Sequence, residues 1–102
     1  MGIDVALELR RGESLAIVGD PHSFLPRLLP SVDDETFPLL RFVDWYGNTV
    51  FNSIQMPQFI SEWERLIKKT DVAEELKILE EILVLANKCK DDIHLYIKFY
   101  GD

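Results

Sequence analysis

The chain has 102 residues, of which 47% are hydrophobic and 28% charged, and it carries a formal net charge of −7. This size fits one globular domain, residues 1–102, that can bury a core without disulfides or a structural metal. The negative charge argues against general nucleic-acid binding, which requires clustered lysine and arginine, and no apolar run is long enough to span a membrane.

Alternating apolar and polar residues predict an N-terminal β-hairpin. Apolar side chains at positions 3, 5, 7 and 9 form the first strand, and residues 15–18 form the second after a turn at Gly12. A short helix is expected over residues 22–29, with Asp20 as N-cap and Pro21 at the first helical position. Residues 30–38 include three consecutive acidic residues, so we expect a solvent-exposed loop there.

Residues 39–54 are rich in aromatic and polar side chains and allow two structures. Gly47-Asn48 is an allowed hairpin turn, so the segment forms either a second hairpin, with arms at 42–46 and 49–51, or an irregular loop over the helices. The polar members of this segment form a candidate loop site if they converge: Asp44, Tyr46, Asn48 and Asn52. The simpler interpretation is that these side chains satisfy their own backbone in turns.

Helical periodicity then predicts two amphipathic helices. The first begins near Pro57 and ends at Lys68-Lys69, with Trp63 on its buried face and Glu62 on its polar face. The second begins after Asp71, which we expect to form a capping box with Glu74. Its apolar stripes extend to Cys89 and cover half of the helix, so it should pack against both the first helix and a sheet.

The period of two from Ile93 to Tyr100 predicts a C-terminal strand with Ile93 on its core side. The expected fold is therefore α+β: a small antiparallel sheet, made of the N-terminal hairpin, the C-terminal strand and an optional further hairpin, packed on one face by two main helices. The opposite side of the last strand carries His94, Tyr96, Lys98 and Tyr100. These residues are a candidate binding face, because tyrosine is enriched at interaction hot spots, although strands also favour aromatic residues on solvent faces.

Sequence motifs for catalysis, nucleotide binding or metal coordination do not occur, so we expect no cofactor and no catalytic residue. The leading hypothesis is a non-enzymatic protein-binding module, immunity-like or regulatory, whose partner is another protein or a second copy of the chain rather than nucleic acid or membrane. The alternative is a small-molecule site, catalytic in one version, built from Asp44, Tyr46, Asn52 and either His22 or His94.

Several segments carry a resemblance to known proteins: Met1–Val5, Phe37–Phe42, Asp44, Gly47, Thr49, Phe51-Asn52 and Gln55–Pro57. Through them the chain resembles small stand-alone bacterial proteins of unknown function, of about 100 residues. This resemblance implies a bacterial source and brings no functional residues. Bacterial immunity proteins and antitoxins are similar in size and acidity, as a class. A lone cysteine and the lack of a basic, apolar leader predict a cytoplasmic location.

Overall fold

The computed structural model describes residues 2–101, which form a four-stranded antiparallel sheet with helices packed on one face. The predicted α+β class is confirmed. In this part of the chain the strands are β1 (Asp4–Leu9), β2 (Ser14–Val18), β3 (Asn48–Asn52) and β4 (Leu95–Tyr100). The helices are α1 (Leu25–Leu28), α2 (Met56–Lys69) and α3 (Ala73–Lys90), and single 3₁₀ turns occur at Leu40–Phe42 and Ser53–Gln55.

The strands follow the order β2-β1-β4-β3. The β1–β2 turn is the predicted one: Gly12 has a φ of 93°, a conformation that favours glycine, and its N–H donates to the Leu9 carbonyl at 2.8 Å. β4 lies between β1 and β3, with Phe99 opposite Val5 and Ile97 opposite Phe51. The core side of the sheet therefore combines residues from both ends and the middle of the chain.

The optional second hairpin does not form. Residues 40–42 make a 3₁₀ turn, and residues 48–52 become β3, which pairs with β4. The connecting segment is held by side chains instead of a strand ladder: the Asp44 N–H donates to Thr49 Oγ1 at 2.8 Å, and the Tyr46 N–H donates to Asp44 Oδ1 at 2.8 Å. These local hydrogen bonds satisfy backbone groups that a hairpin arm would have used.

An aromatic cluster joins the two main helices to the sheet. The predicted helix α2 is confirmed, and its Phe59 and Trp63 rings stack with centroids 5.3 Å apart and planes 7° apart. Phe99 of β4 lies 6.1 Å from each of these rings. The Trp63 Nε1–H donates to the Leu79 carbonyl of α3 at 2.8 Å, so the indole is buried without an unpaired donor.

Glu62 was predicted to face solvent, and this prediction is wrong because the side chain is 1% exposed. Its Oε1 accepts the N–H groups of Leu39 at 3.1 Å and Leu40 at 2.9 Å, and its Oε2 accepts Gln58 Nε2 at 2.7 Å. The carboxylate anchors the chain that follows Phe37, which is also 1% exposed. The predicted exposed loop at 30–38 is therefore wrong at its C-terminal end, where Phe37 enters the core.

Two predicted helix starts are also corrected. α1 begins at Leu25 instead of residue 22, because residues 20–23 form a turn in which the Ser23 N–H donates to the Asp20 carbonyl at 3.1 Å. The buried Asp20 carboxylate still accepts the N–H groups of Phe24 at 2.8 Å and Leu25 at 2.9 Å. α3 begins at Ala73 with Val72 at the N-cap and no side-chain cap, so Asp71 and Glu74 form no capping box. Asp71 lies one residue too early to cap this helix.

Candidate functional site

The side of the sheet that faces away from the helices carries three of the four residues predicted for a binding face. Tyr96, Lys98 and Tyr100 alternate with buried residues along β4 and are themselves half-buried. Each has one neighbour on β1 and one on β3. We call the resulting nine residues the outer face: Asp4, Ala6, Glu8, Asn48, Val50, Asn52, Tyr96, Lys98 and Tyr100.

His94, the fourth predicted residue, does not belong to the outer face. The strand begins at Leu95, and residues 93 and 94 lie in a turn, where the His94 N–H donates to Asp92 Oδ1 at 2.9 Å. Ile93, predicted to be in the core, is 75% exposed. The apolar–polar alternation of the sequence therefore includes residues 93 and 94, but the strand does not. The Asp92 carboxylate holds the backbone of these two residues in a turn.

A buried carboxylate lies within the outer face. Glu8 is 3% exposed, although it points away from the core. Its Oε2 accepts hydrogen bonds from the hydroxyl of Tyr100 and, at 3.1 Å, from the hydroxyl of Ser14. The hydrogen bond to Glu8 is the main cause that raises the pKa of Tyr100, with burial adding to it. Tyr100 is thus held by the fold, which limits its freedom to contact a partner.

Beside this network an open groove of about 280 Å³ crosses the outer face. Its lining includes Arg10, Val50, Tyr96 and Lys98. Val50 is 52% exposed and lies directly opposite Lys98 in the β3–β4 pair. The groove therefore combines an apolar and aromatic surface with two cations, in a chain whose net charge is strongly negative.

The four predicted loop-site residues are not brought together. Asp44 and Tyr46 line a separate pocket, whereas Asn48 and Asn52 lie at the two ends of β3. Asn52 forms a capping box with Gln55: the Gln55 N–H donates to Asn52 Oδ1 at 3.0 Å, and the Asn52 N–H donates to Gln55 Oε1 at 2.9 Å. The Asp44 carboxylate accepts the Tyr46 N–H. Both side chains thus serve nearby backbone.

The pocket beside Asp44 has a volume of about 450 Å³ and a mainly apolar lining. Val32, Phe42 and Tyr46 contribute exposed side chains, and the Arg41 guanidinium lies 4.5 Å from the centroid of the Phe42 ring. Neither His22 nor His94 lines this pocket. Sequence reasoning missed Val32 and Arg41, and the one signal for the pocket was the aromatic density of residues 42–46.

Metal ligands, membrane-spanning helices and the thiol are the remaining features to describe within residues 2–101. No group of three or more His, Cys, Asp or Glu side chains in this range could hold a metal ion, and no helix in it is long and apolar enough to cross a membrane. Cys89 is wholly buried on α3, and burial raises its pKa to about 11. A buried thiol with so high a pKa is a poor nucleophile at neutral pH.

Comparisons with family models, with curated proteins and with solved structures found no match for this chain.

Proposed function

We propose that the protein is a non-enzymatic protein-binding module of the bacterial cytoplasm, immunity-like or regulatory, that uses its outer face. The observation that carries the proposal is the open groove in which the exposed Val50 lies beside Tyr96 and Lys98. A tyrosine and an aliphatic side chain flanked by cations form the kind of mixed surface from which interaction hot spots are built.

The charges of the groove indicate the chemistry of the partner. Arg10 and Lys98 line the groove together with Glu8, but the Glu8 side chain is 3% exposed and its Oε2 already accepts two hydroxyl groups. The exposed carboxylate of the outer face, Asp4, lies at the end of β1 opposite Tyr100, away from Val50. A partner segment with an apolar residue next to Asp or Glu is therefore the best match, with the charges contributing orientation and the apolar contact affinity.

The test replaces Val50 and leaves Tyr100 intact, because Tyr100 also holds the buried Glu8. Val50→Asp places a carboxylate opposite Lys98, a cross-strand pair that the sheet tolerates. Val84→Asp is the matched control, since Val84 lies on α3 and is 53% exposed, against 52% for Val50. Each purified bait, checked for native circular dichroism, is used in quantitative capture from extracts of the source cells.

We expect one protein to be enriched by the wild type and by Val84→Asp but lost with Val50→Asp. The captured protein should then bind purified wild type in isothermal titration calorimetry, with an affinity at least tenfold weaker for Val50→Asp. Equal binding of both variants would contradict a role for the outer face.

A second candidate function is binding of a small molecule in the pocket beside Asp44 and Tyr46. Its volume of about 450 Å³ lies within the range of known ligand sites, and Arg41 adds a cation to an aromatic lining. With no histidine in the lining, we propose binding and not catalysis. Titration with benzoate should shift the Trp45 indole N–H signal in ¹H–¹⁵N NMR spectra, and Arg41→Ala should abolish the shift. An unchanged Trp45 signal would count against this site.

A further inference from the structure

β2 forms one edge of the sheet, and β1 is its only strand partner in the part of the chain that the structure describes. The strand reads Ser-Leu-Ala-Ile-Val and contains no charge and no proline, while Leu15 is 57% exposed and Ile17 is 62% exposed. Edge strands are usually protected by charges, prolines or bulges. Here a register shift affects the start of β2, and residues 16–18 stay in regular register with β1.

The opposite edge of the sheet is better protected. β3 is followed directly by a 3₁₀ turn that is closed by the Asn52–Gln55 capping box, and the Thr49 side chain already binds the Asp44 backbone. β2 has no comparable cover: among the described residues, the side-chain and backbone hydrogen bonds of residues 14–18 go to β1, as with Ser14 Oγ to Glu8, and none reaches another segment. β2 is therefore the edge that is open to an added strand.

We infer that β2 pairs in antiparallel orientation with β2 of a second copy, which joins two four-stranded sheets into one. Two identical strands in this orientation are self-complementary about a two-fold axis. An axis at Ile17 uses the regular part of the strand: Ile17 faces its own counterpart, and Ala16 faces Val18. Side chains directly opposite in such a pair have Cβ atoms about 4.5–5.5 Å apart, so the two exposed isoleucines would cover each other.

The charges at the two ends of β2 favour the same arrangement. Exposed Arg10 and Arg11 lie at the turn before β2, where Glu13 offsets one of the two positive charges. At the other end, the Asp4 carboxylate lies beside Gly19, the residue that follows β2. A Cβ added to Gly19 would be 3.7 Å from Asp4 Oδ1. Antiparallel pairing brings the basic turn of one copy to the Asp4 end of the other, twice per dimer. This longer-range attraction between the net positive turn and the Asp4 end opposes the general repulsion between two acidic chains.

The size of the interface sets the expected strength of this dimer. A five-residue edge buries less than the about 1,200–2,000 Å² of a standard stable interface, so we expect a reversible dimer at high micromolar concentration. Growth stops at two copies, because the edges left free are the two β3 strands. The dimer and the proposed partner site share Arg10, but the residues that test them are well separated: Ile17 lies three strands from Val50, about 14 Å at the usual strand spacing.

Sedimentation equilibrium from about 10 µM to about 1 mM, the range expected for an interface of this size, tests the inference on wild type, Ile17→Lys and Val84→Lys. Both substitutions change the net charge equally and at exposed positions, so general repulsion is matched. Wild type and Val84→Lys should dimerise, and Ile17→Lys should raise the dissociation constant at least tenfold. A wild type that stays monomeric throughout, or two variants that behave alike, would overturn the inference.

Cysteine cross-linking tests the register. Under mild oxidation Ile17→Cys should give a disulfide-linked dimer, while Val50→Cys, on the protected edge strand, should not. Preferential cross-linking through Val50→Cys would show that the copies meet elsewhere and would refute pairing through β2. The proposed partner site would survive that failure, because its test depends on capture by Val84→Asp and loss with Val50→Asp.

Discussion

Glu62→Ala should be among the most destabilising single substitutions on α2 that leave the aromatic core intact. The carboxylate accepts two backbone N–H groups from the segment that carries Phe37, and no other group within residues 2–101 accepts them. Leu40 is 1% exposed, so water cannot readily replace the lost acceptor there.

The magnitude follows from these contacts. A buried N–H left without an acceptor costs about 1–3 kcal/mol, the half-buried Leu39 N–H somewhat less, and the one buried methylene group that the substitution removes about 0.8 kcal/mol. The expected loss for Glu62→Ala is therefore about 3–5 kcal/mol, a large share of the roughly 5–15 kcal/mol of a domain this size. Glu62→Gln keeps one acceptor oxygen and should cost about 1–2 kcal/mol, since neutral hydrogen bonds are weaker than charged ones.

Urea denaturation followed by tryptophan fluorescence measures these differences. Glu64→Ala, at an exposed position of the same helix, is the control and should change stability by less than about 0.5 kcal/mol. Amide exchange adds a local readout: the Leu40 N–H should lose protection in Glu62→Ala. A loss below about 1 kcal/mol, or equal losses for Ala and Gln, would refute the view that this carboxylate anchors the segment.

Three further results are expected. The folded state raises the pKa of Tyr100 above its ordinary 10.0, so the stability from its hydrogen bond is present below about pH 10 and is lost as the pH rises through the folded value. The urea midpoint should therefore fall above about pH 10, and it should fall less in Tyr100→Phe than in the control Tyr46→Phe. The Cys89 thiol, with a pKa of about 11, should react with Ellman's reagent at pH 8 at least about a hundredfold more slowly in native protein than in urea, and rapid native labelling would contradict its burial. Gly12→Ala should cost about 1 kcal/mol by thermal unfolding, and Gly12→Asn should cost less, because asparagine tolerates a positive φ better than alanine. The positive φ is the cause, since no atom lies within 4 Å of an added Cβ at this position. Equal costs for the two variants would argue against backbone strain.

Much of the fold could be predicted, because periodicity is a local property of the chain. The β1 and β4 patterns place alternate side chains on opposite sides of a strand, and the 3.6-residue repeat places Phe59 and Trp63 together on α2. Helix ends were less predictable. Asp71 has the right residue type for a cap, yet the helix begins one residue later than a cap at Asp71 requires.

The candidate site was predictable in part for the same reason. Tyr96, Lys98 and Tyr100 share a face because they alternate along one strand, and Asp44 and Asn52 satisfy nearby backbone, as Asp and Asn commonly do. His94 follows the same alternation but lies outside the strand. Val50 escaped prediction as a site residue, because its place beside Lys98 depends on β3 pairing with β4 instead of with residues 42–46.

By itself, the sequence determined the N-terminal hairpin, the two main helices and the C-terminal strand, and most of their apolar faces, since these follow from residues a few positions apart. Tertiary structure alone decided the roles of two buried carboxylates, Glu8 and Glu62. Glu8 and Tyr100 are 92 residues apart in the chain, and Glu62 binds backbone 22 residues before it. A carboxylate can be buried where enough donors surround it, and those donors come together only when distant segments pack.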